Sequence, residues 1–156
     1  MPDFMEQRRL ARLLDRAADQ ARDLEAPNIG WIAAMRRALG MSAEQVAVRK
    51  GVTRNAVYQA ERNELDGAVS LNQMDRLAKA MGGKFVYAII PDGRIEDMKY
   101  HRAKALAEVM LGEEPAASGW SADDRQDWLD DKAAELLHDM PTTFWDYRVG
   151  TGTSPR

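Results

Sequence analysis

The chain contains no cysteine in 156 residues. That excludes disulfides, thiol nucleophiles and cysteine-held zinc, and it suits a reducing cytoplasm. Long apolar runs are missing as well. "FVYAII", residues 85–90, falls far short of the ~20 residues a membrane helix needs. The opening "MPDFMEQRRL" lacks the apolar core of a signal peptide. A cytoplasmic location is therefore expected. Histidine is scarce: His101 and His138 stand far apart, and no carboxylate pair or third ligand is spaced around either. Neither metal binding nor acid–base work is expected of them. The glycines of "GTGTS", 150–154, lack the lysine and following helix of a phosphate loop, so that stretch reads as a frayed tail. The neighbouring acids Asp123/Asp124 and Asp130/Asp131 point in different directions on a helix, which suits capping and solvation. With no catalytic constellation in view, the chain is not expected to be an enzyme or to carry a cofactor or metal.

What the chain does have is an uneven charge distribution. The net charge of -3 at first argues against a polyanionic partner. By region, however, residues 30–63 carry Arg36, Arg37, Arg49, Lys50, Arg54 and Arg62 against only Glu44 and Glu61, a balance of +4. Residues 108–139 carry ten acids against Arg125 and Lys132, a balance of -8. A basic centre beside an acidic C-terminal third suggests two surfaces with two tasks. A solvated acidic helix is the simpler alternative for the latter.

Apolar spacing predicts a mainly α protein. Leu10, Leu13, Leu14, Ala17, Ala21 and Leu24 recur at three and four within a helix over 3–25, which "APN" ends. That stripe must pack on the body of the chain or on a second subunit. "GWIAAMRRALG" places Trp31, Ile32, Met35 and Leu39 on one side, and Gly40 ends it. Ser42 is a good cap for "AEQVAVRK", Gly51 breaks that helix, and Thr53 caps "RNAVYQAER". "ELDGAV" reads as a loop, and Ser70 caps "LNQMDRLAKAM", which offers Leu71, Met74, Leu77, Ala78 and Met81. "KFVYAIIP" predicts one short β-strand, rich in β-branched and aromatic residues and ended by Pro91. A lone strand needs a partner for its backbone groups. Pairing with the same strand of a second copy answers this, with Phe85, Val86, Tyr87, Ala88 and Ile89 as a dimer interface; an extended segment packed on the helices is the alternative. A helix over 94–111, a "GEEPAASG" linker and a last helix opened by Ser121 and Asp124 follow. Trp120, Trp128, Phe144, Trp145 and Tyr147 crowd the end of the chain, as core or as a protein interface.

Residues 42–62 carry the most specific pattern, that of a helix-turn-helix. Small Ala47 allows close approach, Gly51 makes the turn, and Val52 and Val57 hold the second helix. The start of that second helix is then free to enter a major groove. Arg54 can donate two hydrogen bonds to guanine, and Asn55 and Gln59 can pair with adenine. Thr53 and the free amides beside it suit a phosphate.

"WIAAMRRA" followed by "LGMSAEQVAVRKGVTRNAVYQAERN" resembles the Xre family, the Cro and phage-repressor type of helix-turn-helix. The resemblance covers about residues 30–83 and implies a lambda-repressor-like five-helix domain that binds operator DNA as a dimer. Ser42, Ala47, Gly51, Val57 and Glu61 fall on the family's framework positions. Its base-reading positions fall on Arg54, Asn55 and Gln59, and its phosphate contacts near Ser42, Ala43 and Thr53. Arg49 and Arg62 join the phosphate set by charge. Lys50 departs from the pattern, since an apolar residue is usual before the glycine; its stem can pack while its charge reaches water. The order of an N-terminal helix, this domain, "FVYAIIP", an amphipathic helix and "LLHDMPTTFWD" is similar to the mobile mystery protein A family. That likeness implies an antitoxin-like repressor of its own operon, beside a Fic-domain partner that transfers AMP to protein hydroxyls. Some Fic inhibitors place a glutamate before Gly or Asn in a blocking helix. None of the ten glutamates here precedes either residue, so that device is not supported.

The expected organisation is residues 1–28 as an N-terminal helix, 29–83 as the DNA-binding domain, 84–112 as a dimerising strand and helix, and 113–156 as an acidic, aromatic C-terminal helix and tail. The expected function is sequence-specific repression of transcription. The alternatives are a protein that inhibits a partner toxin through its acidic third, and a stand-alone phage-type regulator.

Overall fold

A computed structural model describes residues 3–146 and contains, among them, seven α-helices, a 3-10 turn and no β-strand. The "GTGTS" stretch and Tyr147 lie outside the described residues. Two compact units form. One is Ala21–Ile89, and the other is made by the chain on either side of it.

In the inner unit, α2 (Trp31–Ala38), α3 (Ala43–Lys50), α4 (Arg54–Leu65) and α5 (Leu71–Ala80) are short helices whose ends are fixed by local chemistry. Ser42 Oγ accepts from the Gln45 amide at 3.1 Å, and Gln45 Oε1 accepts from the Ser42 amide at 2.8 Å. This reciprocal cap satisfies donors that a helix start otherwise leaves open. Ser70 and Gln73 repeat it at α5. At the start of α2 no side chain of the same segment caps. Instead Glu64, near the end of α4, accepts from the Trp31 amide at 2.6 Å and the Ile32 amide at 2.9 Å. Its negative charge sits at the positive end of α2, where the helix dipole favours it.

Val46, Val57 and Leu77 are almost fully buried and pack with Ile32, Ala47, Ala60 and Met74 into one core. Each large side chain so buried stabilises by about 1.5–3 kcal/mol before entropy is counted. Arg36, 8% exposed, joins them. Its Nε donates to Glu61 Oε1 at 2.6 Å, its Nη2 to Glu61 Oε2 at 3.1 Å, and its Nη1 to the Met41 carbonyl at 3.2 Å. The Tyr58 ring lies 5.8 Å away. The Glu61 hydrogen bonds raise the Arg36 pKa above its ordinary value, against the opposing effect of burial.

Several expected faces are corrected here. In α2 the buried side is Ile32, Ala33 and Arg36, whereas Trp31, Met35 and Leu39 are exposed; the ion pair draws Arg36 inward. Val52 and Leu71 are also exposed, so Val57 alone of the two valines locks α4. Glu64 and Leu65 of the expected loop belong to α4, which runs on to Leu65.

The expected β-strand at "KFVYAIIP" does not form. Residues 84–91 lie outside any helix or strand and make no backbone hydrogen bond to another described residue. The physical reason is the absence of a neighbouring strand to complete a ladder. The segment is held instead by side chains: Phe85 packs against the helical core, and Tyr87 stacks on Phe85 with ring centroids 5.9 Å apart.

In the outer unit, α1 (Phe4–Ala21), α6 (Ile95–Glu113) and α7 (Ala122–Asp139) are long helices. Ala103, Ala107 and Ala133 are fully buried where α6 meets α7, beside Leu106, Leu136 and Phe144. Alanine at such a contact lets two helix backbones approach closely. α1 is tied in by polar groups: Asp15 accepts from the Ile95 amide at 3.0 Å, and Asp19 pairs with Arg94 at 3.1 Å. Leu10 and Leu13 of its predicted stripe are exposed, and Ala11 is its buried residue. The expected linker is also structured. α6 runs on to Glu113, and a 3-10 turn over Pro115–Gly119 buries Ala117. Ser121 and Asp124 form the predicted reciprocal cap of α7. The aromatic patch is divided: Phe144 is core, and Trp145 is exposed.

Candidate nucleic-acid interface

The turn between α3 and α4 decides what α4 presents. Gly51 has φ 77 and ψ 38, the left-handed region that only glycine enters at little cost. Its amide donates to the Ala47 carbonyl at 2.8 Å, and the Val52 amide donates to the same carbonyl at 3.0 Å. α3 thus ends within one residue, and the chain restarts at Thr53. The Thr53 hydroxyl accepts from the Ala56 amide at 3.2 Å. Buried Ala47 and Val57 seat the two helices against each other.

Along α4, Val57 and Ala60 face the core, while Arg54, Asn55, Tyr58, Gln59 and Arg62 are exposed. Arg54 and Asn55 stand in the first turn with no partner among the described residues. They keep their full hydrogen-bonding capacity, five donors for Arg54 and an acceptor with two donors for Asn55. Gln59 is engaged: its Nε2 donates to Asn63 Oδ1 at 2.7 Å, and its Oε1 accepts from Arg62 Nη2 at 2.9 Å.

The expected phosphate residues differ in availability. Arg49 is exposed and has no partner among the described residues. Arg62 spends one donor on Gln59 and has four left. The Ser42 amide is committed to Gln45, which leaves the hydroxyl hydrogen to donate. Ala43 is buried by side chain, so only its amide, at the start of α3, has something to offer. Thr53 accepts at its hydroxyl oxygen and can still donate. Of the six cations counted in this region, Arg36 is occupied by Glu61, and that pair adds no net charge. The other five cations are at least partly accessible. The sequence pattern alone does not mark Asn63 or Glu64 as contacts of Gln59 and α2. The spacing of Asn63 four residues after Gln59 was the available signal.

The apolar residues at the end of this unit form a second feature. Val86, Tyr87 and Ile89 are 71%, 72% and 88% exposed, a large apolar presentation for one short segment. Phe85 and Val86 also line a cleft of about 360 Å³, with Leu24, Trp31, Met35 and Met81 on its other walls. Among the described residues no group of three His, Asp or Glu side chains is placed to hold a metal ion. No described helix is long and apolar enough to cross a membrane.

Residues 32–87 match the helix-turn-helix family model. Neither a curated protein nor a solved structure gives a significant match. The matched span holds α3, the Gly51 turn and α4, and it supports assignment of this unit to the Xre and lambda-repressor type of DNA-binding transcriptional regulator.

Proposed function

We propose that the protein is a sequence-specific transcriptional repressor that reads a major groove with α4. The observation that carries this reading is the first turns of α4. Arg54, Asn55 and Gln59 stand exposed there, beyond a Gly51 turn that ends α3 abruptly, on a basic surface. Arg54 suits guanine, whose O6 and N7 both accept; Asn55 and Gln59 suit adenine. Ser42, Ala43, Thr53, Arg49 and Arg62 are the groups for phosphate, through hydroxyls, helix-start amides and guanidinium charge. Affinity therefore falls as salt rises, because phosphate contacts release counterions.

The protein acts as a homodimer in this reading. Half-buried Phe85 and the exposed residues Val86, Tyr87, Ala88 and Ile89 supply surface for a second copy to cover, and two copies present two α4 helices to two half-sites. The resemblance to mobile mystery protein A extends the role to an antitoxin-like autoregulator, cytoplasmic, of an operon that encodes a Fic-type partner. The acid-rich exposed face of α7, with Asp123, Asp127, Asp130 and Asp131, favours a second reading in which that surface binds a basic protein partner.

Substitution tests the base-reading assignment. Arg54→Ala or Gln59→Ala is expected to cost about 1–3 kcal/mol at a cognate duplex and little on random duplex. Titrations of both duplexes measure this, and equal losses on the two would refute the assignment.

A further inference from the structure

Gln59 has three side-chain torsions and an amide that can present its oxygen or its nitrogen to either side. A free glutamine at a reading position would lose that freedom on binding and would present either end. Here both ends are already engaged, by residues one turn further along α4. Arg62, three residues on, donates to Oε1; Asn63, four residues on, accepts from Nε2. These are the two spacings at which helix side chains meet. Turning the amide over would set its nitrogen against Arg62, which has donors only, so Arg62 fixes the orientation and Asn63 Oδ1 holds the other end in place.

We propose that Asn63 and Arg62 are positioning residues that lock the Gln59 amide and so set which base it selects. After both hydrogen bonds are made, the amide keeps one N–H and one lone pair. That is the complement of adenine, whose N6 donates and whose N7 accepts in the major groove. Arg62 also ties this orientation to a cation able to grip phosphate, so base reading and backbone register are linked. The inference rests on the reading of Gln59 as a base contact.

The test uses the full-length protein and a duplex library with a randomised core. Wild type, Gln59→Ala, Asn63→Ala and Asn63→Asp are each used to select from it. Gln59→Ala is expected to flatten the preference at one base pair, which locates its contact. Asn63→Ala is expected to reduce discrimination at that same base pair by about tenfold. Its binding to random duplex should change less than about twofold, because phosphate contacts supply that affinity. Asn63→Asp keeps an oxygen acceptor and is expected to retain the preference, although its added charge weakens all DNA binding. The proposal is overturned if Asn63→Ala keeps full discrimination at that base pair while Gln59→Ala loses it. It is also overturned if Asn63→Ala weakens cognate and random binding equally, or if Asn63→Asp loses the preference as Asn63→Ala does. If Gln59→Ala alters no preference, the base-reading role of Gln59 itself fails and this inference falls with it.

Discussion

The inner unit, Ala21–Ile89, and the outer unit solve the same problem, burying helix faces, by different means. The inner one uses helices of eight to twelve residues, with serine or threonine caps at three starts and Glu64 at the fourth. Its tight ends leave backbone amides and polar side chains at the surface, which a reader of DNA needs. The outer one joins two helices of 19 and 18 residues through buried alanines and carries its charge as acids on α7. Frequent, sharply capped ends create binding positions, whereas long helices create a stable face. The comparison therefore supports the proposal of base reading in the inner unit, with the outer unit as a scaffold.

The strongest way to break the inner unit is to remove one partner of its buried ion pair. Glu61→Ala strands the Arg36 guanidinium and is expected to cost about 3–5 kcal/mol. Denaturant unfolding would measure this, together with faster amide exchange across 32–80. Overpacking probes the other side of the comparison. Ala107→Leu forces bulk into the α6–α7 contact, where Ala107 is fully buried, and is expected to cost about 1–3 kcal/mol. Its exchange protection should fall in α6 and α7 while duplex binding stays unchanged; lost duplex binding would deny the division of labour. Gly51→Ala separates backbone from packing, since a Cβ there meets nothing within 4 Å. The expected cost is therefore about 1 kcal/mol, from the left-handed φ alone, read as a small drop in the unfolding midpoint.

The smallest expected effect depends on pH. Hydrogen bonds from the Ser121 side chain and then its backbone hold the Asp124 pKa below its ordinary value. A carboxylate with a depressed folded pKa contributes stability that is present above its unfolded pKa. That contribution disappears as pH falls through the folded value. Ser121→Ala should therefore lower the unfolding midpoint slightly at neutral pH. The difference from wild type should shrink on acidification below the carboxylate range.

What the sequence reveals here follows from how local the cause is. Ser42, Thr53, Ser70, Ser121 and Gly51 act within three or four residues of themselves, and each helix boundary they imply is present. The exposure of Arg54, Asn55 and Gln59 follows from the same local frame. Arg36 and Glu61 stand 25 residues apart, and Asp15 reaches an amide 80 residues away, so neither partnership is visible in spacing. The segment 84–91 misleads for a different reason. β-branched and aromatic residues favour an extended, pleated backbone, but a strand exists only when a neighbour supplies the ladder. Asn63 was within reach, since its distance from Gln59 is a helix turn.

The proposal that α4 reads a specific DNA sequence underlies every binding expectation. A gel shift tests it most directly, using the DNA upstream of the protein's own gene at two salt concentrations with random duplex as competitor. The expected shift weakens with salt, survives the competitor, and is lost in the Arg54→Ala/Gln59→Ala double variant. A shift erased by random duplex, or one that the double variant retains in full, would contradict it.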